Sequence, residues 1–358
     1  GFGGGGDDGA RVASRRLRLL VDLEAPRFGG RAALPDLPAA ESAALLTLND
    51  DQQNAVHRIL AAEDYALVLG MPGTGKTTMI AHAVAALVAL GQSVLLCSYT
   101  HSALDNVLLK LLDKHVELLR IGPRAKVDPA LHPHLLSTIA ADLPPSADRV
   151  AALRRALASR RVVAASSLAL NDPLLAGRQF DVCIVDEAGQ VTEPVCLGPV
   201  CAARRFVLVG DHYQLPPLVA APQAERGGLA LSLFKRLAEA HPAAVCRLSA
   251  QYRMTKDVMA VANELVYAGH LRCGSAAVAT ASLVLPFPER LPPRAAASAA
   301  AWAAAERWVF DPKAGSVANG SVRTADWLRA VAAPERRVVF VDTDAMEAAE
   351  VRSEGVRG

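Results

Sequence analysis

The chain has 358 residues, a formal net charge of +2, 52% hydrophobic residues and only 4% aromatic ones. It is too apolar and too near neutrality for a disordered tail, and too long and poor in cysteine for a disulfide-bonded secreted module. The core must be aliphatic, and a nucleic-acid role must rest on local motifs, because a strongly basic balance is missing.

Residues 1–15 are glycine-rich, start at Gly1 rather than Met, and are expected to be a disordered tail. Residues 16–47 mix basic and apolar residues with Pro26, Pro35 and Pro38, so that 1–47 reads as a tail and the stub of a preceding region. From Leu48 short apolar runs alternate with helix-like stretches. The runs at 65–70, 94–99, 161–166, 181–186, 206–210 and 244–248 are rich in Val, Leu or Ile. Continuous rather than alternating apolarity means burial on both faces, as in the parallel strands of an α/β sandwich. Residues 275–335 break the pattern: 295–305 is alanine except for Ser298 and Trp302, prolines stand at 286, 288, 292 and 293, and 314–322 reads as loop. This stretch is expected to be an insertion or linker. Residues 336–342 (RRVVFVD) read as a fresh strand, and both ends of the sequence read as cut.

The apolar stretch 83–90 is far short of the ~20 residues a membrane helix needs, and no signal peptide is visible. Cys97, Cys183, Cys196, Cys201, Cys246 and Cys273 form no CxxC pair and no zinc spacing. They are read as reduced thiols of an intracellular protein. His132 and His134 lack an identifiable third ligand, so no metal site is assigned to them.

Residues 70–77 (GMPGTGKT) fit G-x-x-x-x-G-K-[ST], between an apolar run and a helix-like stretch, which is the setting this phosphate loop requires. Gly70, Gly73 and Gly75 permit a backbone whose N–H groups turn inward around an anion, and Thr74 and Thr78 flank the same cradle. Lys76 is placed to neutralise phosphate oxygens, and Thr77 to offer a hydroxyl to Mg²⁺. The run at 181–186 ends in Asp186-Glu187-Ala188-Gly189-Gln190. A carboxylate at a strand tip beside a phosphate loop can hold Mg²⁺, and its neighbour can activate a water. The run at 206–210 leads to Asp211-His212-Tyr213-Gln214, where Gln214 can sense the terminal phosphate. An N-K-x-D guanine motif is missing, which excludes a GTPase, and a small-molecule kinase needs no such series of strand tips.

Taken in order, these residues resemble a superfamily 1 helicase. Leu48–Gln52 is similar to the Q motif, residues 70–77 to motif I, 98–106 (SYTHSALDN) to motif Ia, 186–190 to motif II and 210–217 to motif III. Gln251-Tyr252-Arg253-Met254 resembles the start of motif IV. The stretches GMPGTGKTT, SYTHSALDN, CLGPV, RRFVLVGDHYQLPPLV, SLFKRL and LRCGS resemble the eukaryotic DNA replication helicase/nucleases in particular. The RNA helicases of nonsense-mediated decay share QYRM but differ at the phosphate loop and motif Ia. The likeness covers roughly 16–275, with a weaker trace at 336–351. It implies an α/β fold: a RecA-like P-loop NTPase domain over 48–274, its parallel sheet flanked by helices. Residues 275–335 would then be the insertion, and 336–358 the start of an incomplete second RecA-like domain.

The resemblance implies ATP and Mg²⁺ as cofactors, Mg²⁺ held by Thr77 and Asp186. Lys76, Glu187, Gln214 and Arg253 would act on the phosphates, Gln52 would read the adenine edge, and Tyr252 would stack on the base. Thr100, Ser102 and Asn106 would touch single-stranded DNA. It further implies 5′→3′ movement, work in DNA replication and repair, and a nuclear location, with no membrane partner and protein partners unknown. Motifs V and VI are missing, and nothing matches the family's nuclease domain or its iron–sulfur cysteines. On that count the chain alone is expected to bind nucleotide and unwind nothing. Motif II usually reads DEASQ in this group and here carries Gly189. Thr100 or Ser102 is equally a candidate helix N-cap, and Tyr99 and His101 can either stack on bases or pack. The arginine pairs 154–155, 160–161 and 204–205 are read as solvated faces.

Overall fold

The computed structural model describes residues 5–30, 36–142, 149–169, 175 and 177–282, and three short strands beyond. The chain divides into two compact units, Gly1–Arg253 with Val266–Arg272, and Met254–Leu265 with Cys273–Gly358. The division at Met254 falls inside the 48–274 span expected for the first domain.

The first unit is built on seven strands: β1 (Tyr65–Gly70), β2 (Val94–Ser98), β3 (Leu118–Ile121), β4 (Val162–Ser166), β5 (Phe180–Asp186), β6 (Ala203–Gly210) and β7 (Val245–Leu248). They lie in the order β3-β4-β2-β5-β6-β1-β7, and every neighbouring pair is parallel. All residues of β1, β2 and β4 are buried, because helices cover both faces of the sheet. The helix Lys76–Ala89 is itself buried from Met79 to Leu87, which is why its sequence is apolar all round. Cys97, Cys183 and Cys196 are buried in this core as free thiols.

Six of the seven strands coincide with apolar runs. β3 does not, because Arg120 stands in its middle. That arginine is wholly enclosed: Nε donates to Asp105 Oδ1 at 2.9 Å, Nη1 to the Ile121 carbonyl at 2.8 Å, and Asp105 Oδ2 accepts the Asp128 N–H at 2.9 Å. Removing one partner would leave a buried charge unpaired, at a cost of about 3–5 kcal/mol. Arg205 is likewise structural. Its Nη1 donates to the Ala62 and Ile59 carbonyls and its Nη2 to Gln92, so it is not a solvated face.

Of the tail expected to be disordered, residues 5–15 instead start a helix, Gly5–Leu20, and residues 1–4 lie outside the described residues. Leu19 and Leu20 bury, and Arg15 and Arg27 converge on Asp64 with contacts of 2.9–3.1 Å. Asp64 is nearly enclosed. Burial opposes its ionisation, but the two guanidiniums and the Arg27 N–H outweigh that and hold its carboxyl well below the usual carboxylate range. A depressed carboxylate contributes stability above its unfolded value, about 3.9, and loses it as pH falls toward the folded value. The urea midpoint of Asp64→Asn should therefore lie well below wild type at pH 7, and the gap should narrow at pH 3. A gap independent of pH would exclude the clamp.

In the second unit the helices Lys256–Ala262 and Ala276–Thr280 are described. The strand Val309–Asp311 pairs antiparallel with Ser316–Ala318, which pairs with Val322–Arg323. The loop expected over 314–322 thus contains one strand and the first residue of the next, in keeping with the extended preference of valine at 317 and 322. The alanine run 295–305 and the strand expected at 336–342 lie outside the described residues. Among the described residues no helix is long and apolar enough to cross a membrane.

Candidate nucleotide site

β1 ends at Gly70 and the chain turns through a loop into the helix Lys76–Ala89. Gly73 and Gly75 take φ of 72° and 78°, the left-handed region that L side chains rarely adopt. Space demands glycine as well: a Cβ at Gly73 would stand 2.6 Å from Arg253 Cβ, and one at Gly75 2.5 Å from Gln52 Nε2. The helix has no side-chain cap at its start, so its first-turn N–H groups remain open to an anion. Thr74 spends its hydroxyl inside the loop, donating to the Met71 carbonyl at 2.7 Å. What it can offer a phosphate is backbone. Thr77 and Thr78 are half-buried on the first turn.

The sheet order sets β5 beside β6 and β6 beside β1, with Leu69 level with Gly210 and Val185 with Leu208. The tips of these strands therefore meet around the loop. Lys76 Nζ donates to the Gly70 carbonyl at 3.0 Å and lies 3.5 Å from Glu187 Oε1. Asp186 is almost fully enclosed, and burial, with Glu187 next to it, pushes its pKa up to about 7, while Lys76 pulls the other way. Glu187 itself sits at φ 53°, a left-handed backbone costing a non-glycine residue about 1–3 kcal/mol. Its N–H donates to Asp186 Oδ1 at 2.9 Å. The strained turn splits two adjacent carboxylates between the buried strand tip and the mouth of the loop.

Gly189, the departure within motif II, has a structural counterpart. A Cβ there would lie 2.8 Å from the Asp211 carbonyl oxygen, and one at Gly210 would lie 2.7 Å from the Gly189 nitrogen. The loops after β5 and β6 touch backbone to backbone, leaving no room for a side chain.

A second group closes the other side of the loop. Asn49 caps the helix Asp50–Ala61 in a reciprocal box with Gln52. Gln52 Nε2 donates to the Thr74 carbonyl at 3.0 Å. The Tyr252 N–H donates to the Gly73 carbonyl at 2.8 Å, and its hydroxyl accepts from Asn49 Nδ2 at 3.0 Å, leaving the ring 46% exposed. Arg253, exposed, donates its N–H to Gln251 Oε1 at 2.8 Å. Asp51 secures this corner, accepting from the Ser249 N–H and hydroxyl and from the Ala250 N–H at 2.7–3.1 Å. Gln52, Gly73, Gly75, Tyr252 and Arg253 are thereby brought together, as are Lys76, Asp186 and Glu187.

Gln214 is held elsewhere. Its Nε2 donates at 2.6 Å to Oδ2 of Asp211, a buried carboxylate that also accepts from the Tyr267 hydroxyl at 2.8 Å and the Tyr213 N–H at 3.0 Å. Sequence reasoning missed Asp211 and Tyr267. The first was inside a quoted motif, whereas nothing in the sequence around the second marks it.

Thr100, Ser102 and Asn106 follow the tip of β2, whose Ser98 pairs with Asp186. All three are exposed. Thr100 is the N-cap of the helix His101–Asp113, accepting the Ala103 N–H at 3.3 Å. His132 Nε2 lies 3.1 Å from the Val127 carbonyl, and among the described residues no group of side chains has the makings of a metal cluster.

Two AAA domain families match the chain, one over residues 47–161 and 146–222, the other over 229–357. The DNA replication ATP-dependent helicase/nuclease JHS1 of Arabidopsis thaliana is 43% identical over 338 residues, 94% of this chain and 22% of that protein. The DNA replication ATP-dependent helicase/nuclease DNA2 of Homo sapiens is 40% identical over 346 residues, 96% of this chain and 30% of that protein. The chain belongs to the superfamily 1 helicases. The chain spans 18% to 30% of the length of the relatives it matches, the DNA2 of Saccharomyces cerevisiae included. A solved arterivirus nonstructural protein 10 (helicase) with DNA covers 68% of the chain and 48% of its own at 17% identity, with a TM-score of 0.38. That likeness is loose, and the assignment of the chain to an α/β P-loop fold rests on its own parallel sheet and loop.

Proposed function

We propose that this chain is the ATP-binding part of the motor of a DNA helicase that works in replication and repair, of the helicase/nuclease type. The single observation that carries the reading is the open helix start after β1, with Lys76 beside Glu187 at 3.5 Å and Asp186 buried at the next strand tips. Loop N–H groups and Lys76 would bind the triphosphate. Tyr252 would stack on the base and Gln52 would lie at its edge. Asp186 and Thr77 would hold Mg²⁺: an enclosed carboxylate raised by burial and by the neighbouring Glu187 charge is the environment a divalent cation relieves. When bound, that ion supplies positive charge to the phosphate oxygens. Glu187 would take the proton of the attacking water, and Gln214 and Arg253 would couple hydrolysis to movement.

Thr100, Ser102 and Asn106 would touch the backbone of single-stranded DNA, with 5′→3′ movement and a nuclear location following from the same family reading. By itself the chain would bind nucleotide without unwinding, because hydrolysis in this class draws groups from two RecA-like domains. The test compares ATP hydrolysis with oligothymidylate and with oligouridylate, the second RecA-like domain supplied in the same polypeptide. Stronger stimulation by the DNA is expected. Equal or stronger stimulation by the RNA would overturn the DNA reading in favour of an RNA helicase.

A further inference from the structure

The buried Arg120 has one arm left after Asp105 and Ile121 have taken the others. Its Nη2 lies 3.0 Å from His101 Nδ1. A guanidinium is always protonated and can only donate. Nδ1 must therefore accept, and the ring carries its proton on Nε2 and is neutral. Burial and the Arg120 charge both lower the His101 pKa, with Lys126 adding to the effect and Asp105 opposing it. The other ring nitrogen, Nε2, has no partner among the described residues and is not enclosed. His101 follows Thr100 and precedes Ser102, two exposed residues at the tip of β2.

We infer that His101 is a neutral hydrogen-bond donor, through Nε2–H, to a phosphodiester oxygen of a bound single strand, and that Arg120 is the positioning residue that sets its tautomer. The inference rests on the reading of this face as a nucleic-acid track. Asp105 and the Asp128 N–H hold the arginine in place, so a contact at the surface is determined by an ion pair in the core of the edge of the sheet. Such a donor adds affinity without adding charge.

The experiment measures binding of fluorescent oligothymidylate to the 358-residue chain over a series of salt concentrations. It uses wild type, His101→Asn, which keeps a polar atom near Nδ1 but loses the outer donor, and His101→Gln, whose amide reaches the Nε2 position. His101→Asn should weaken binding about tenfold at every salt concentration, the loss of one hydrogen bond to a charged oxygen, and His101→Gln should recover most of it. The salt slope should be unchanged, whereas loss of a cationic contact would lower it by about one. Nitrogen NMR of labelled histidine should place the His101 proton on Nε2, and Arg120→Lys should release that preference. Unchanged binding in His101→Asn, a reduced slope, or a proton on Nδ1 overturns the inference and leaves the track reading intact. Failure of wild type to bind oligothymidylate at all overturns both.

Discussion

Replacing Lys76 by alanine should weaken nucleotide binding roughly 100-fold, close to abolishing it at micromolar nucleotide. In the structure Nζ rests on the Gly70 carbonyl at 3.0 Å and beside Glu187 at 3.5 Å. These are stand-in partners that a phosphate would displace. What remains without the ammonium is the open helix start, worth about 0.3–1 kcal/mol toward an anion at an exposed site and up to ~2 in favourable geometry. Each charge-assisted hydrogen bond from Lys76 contributes about 1.5–3 kcal/mol, so its removal dominates. The fold should survive, because the side chain packs on the loop rather than in the core. Anisotropy of a fluorescent ATP analogue, with a thermal unfolding curve as control, checks this. Affinity within threefold of wild type and an unaltered melting curve would mean that the phosphates sit elsewhere.

Glu187→Gln should leave nucleotide affinity within about threefold of wild type and slow hydrolysis by about 10²–10⁴, the usual contribution of a general base. The amide keeps the size of the side chain and loses its ability to take a proton. The left-handed turn at φ 53° is untouched, since glutamine carries the same backbone demands. The variant also removes the second cause of the raised Asp186 pKa, after burial. Asp186 should therefore ionise more readily, and any loss of rate cannot be charged to it. Hydrolysis is to be measured by single turnover, with the second RecA-like domain supplied in the same polypeptide. Undiminished turnover would place the base on another residue.

Much of the site was legible because it is local. The loop from Gly70 to Thr77 states its backbone requirements in consecutive residues, and Asp186 and Glu187 stand at the end of an uninterrupted apolar run. β3 was illegible for the opposite reason: Arg120 contradicts the pattern of a buried strand, and only Asp105, fifteen residues earlier, makes it tolerable. The N-terminal helix was misread because its anchor, the Arg15–Asp64 contact, spans 49 positions. Tyr267 on Asp211 spans 56, and Asn49 on Tyr252 spans 203.

The sequence by itself determined six of the seven strands of the parallel sheet, the phosphate loop and the family, since each is a statement about neighbouring residues and their need for burial or for left-handed backbone. Only the tertiary structure decided which polar groups share a partner. It set Gln214 on Asp211, Thr100 as a helix cap, Gly189 against the Asp211 backbone and Arg120 on His101. Hydrogen bonds act over about 3 Å. Which residues come that close depends on the order of the strands in the sheet, and that order follows from how the whole core packs.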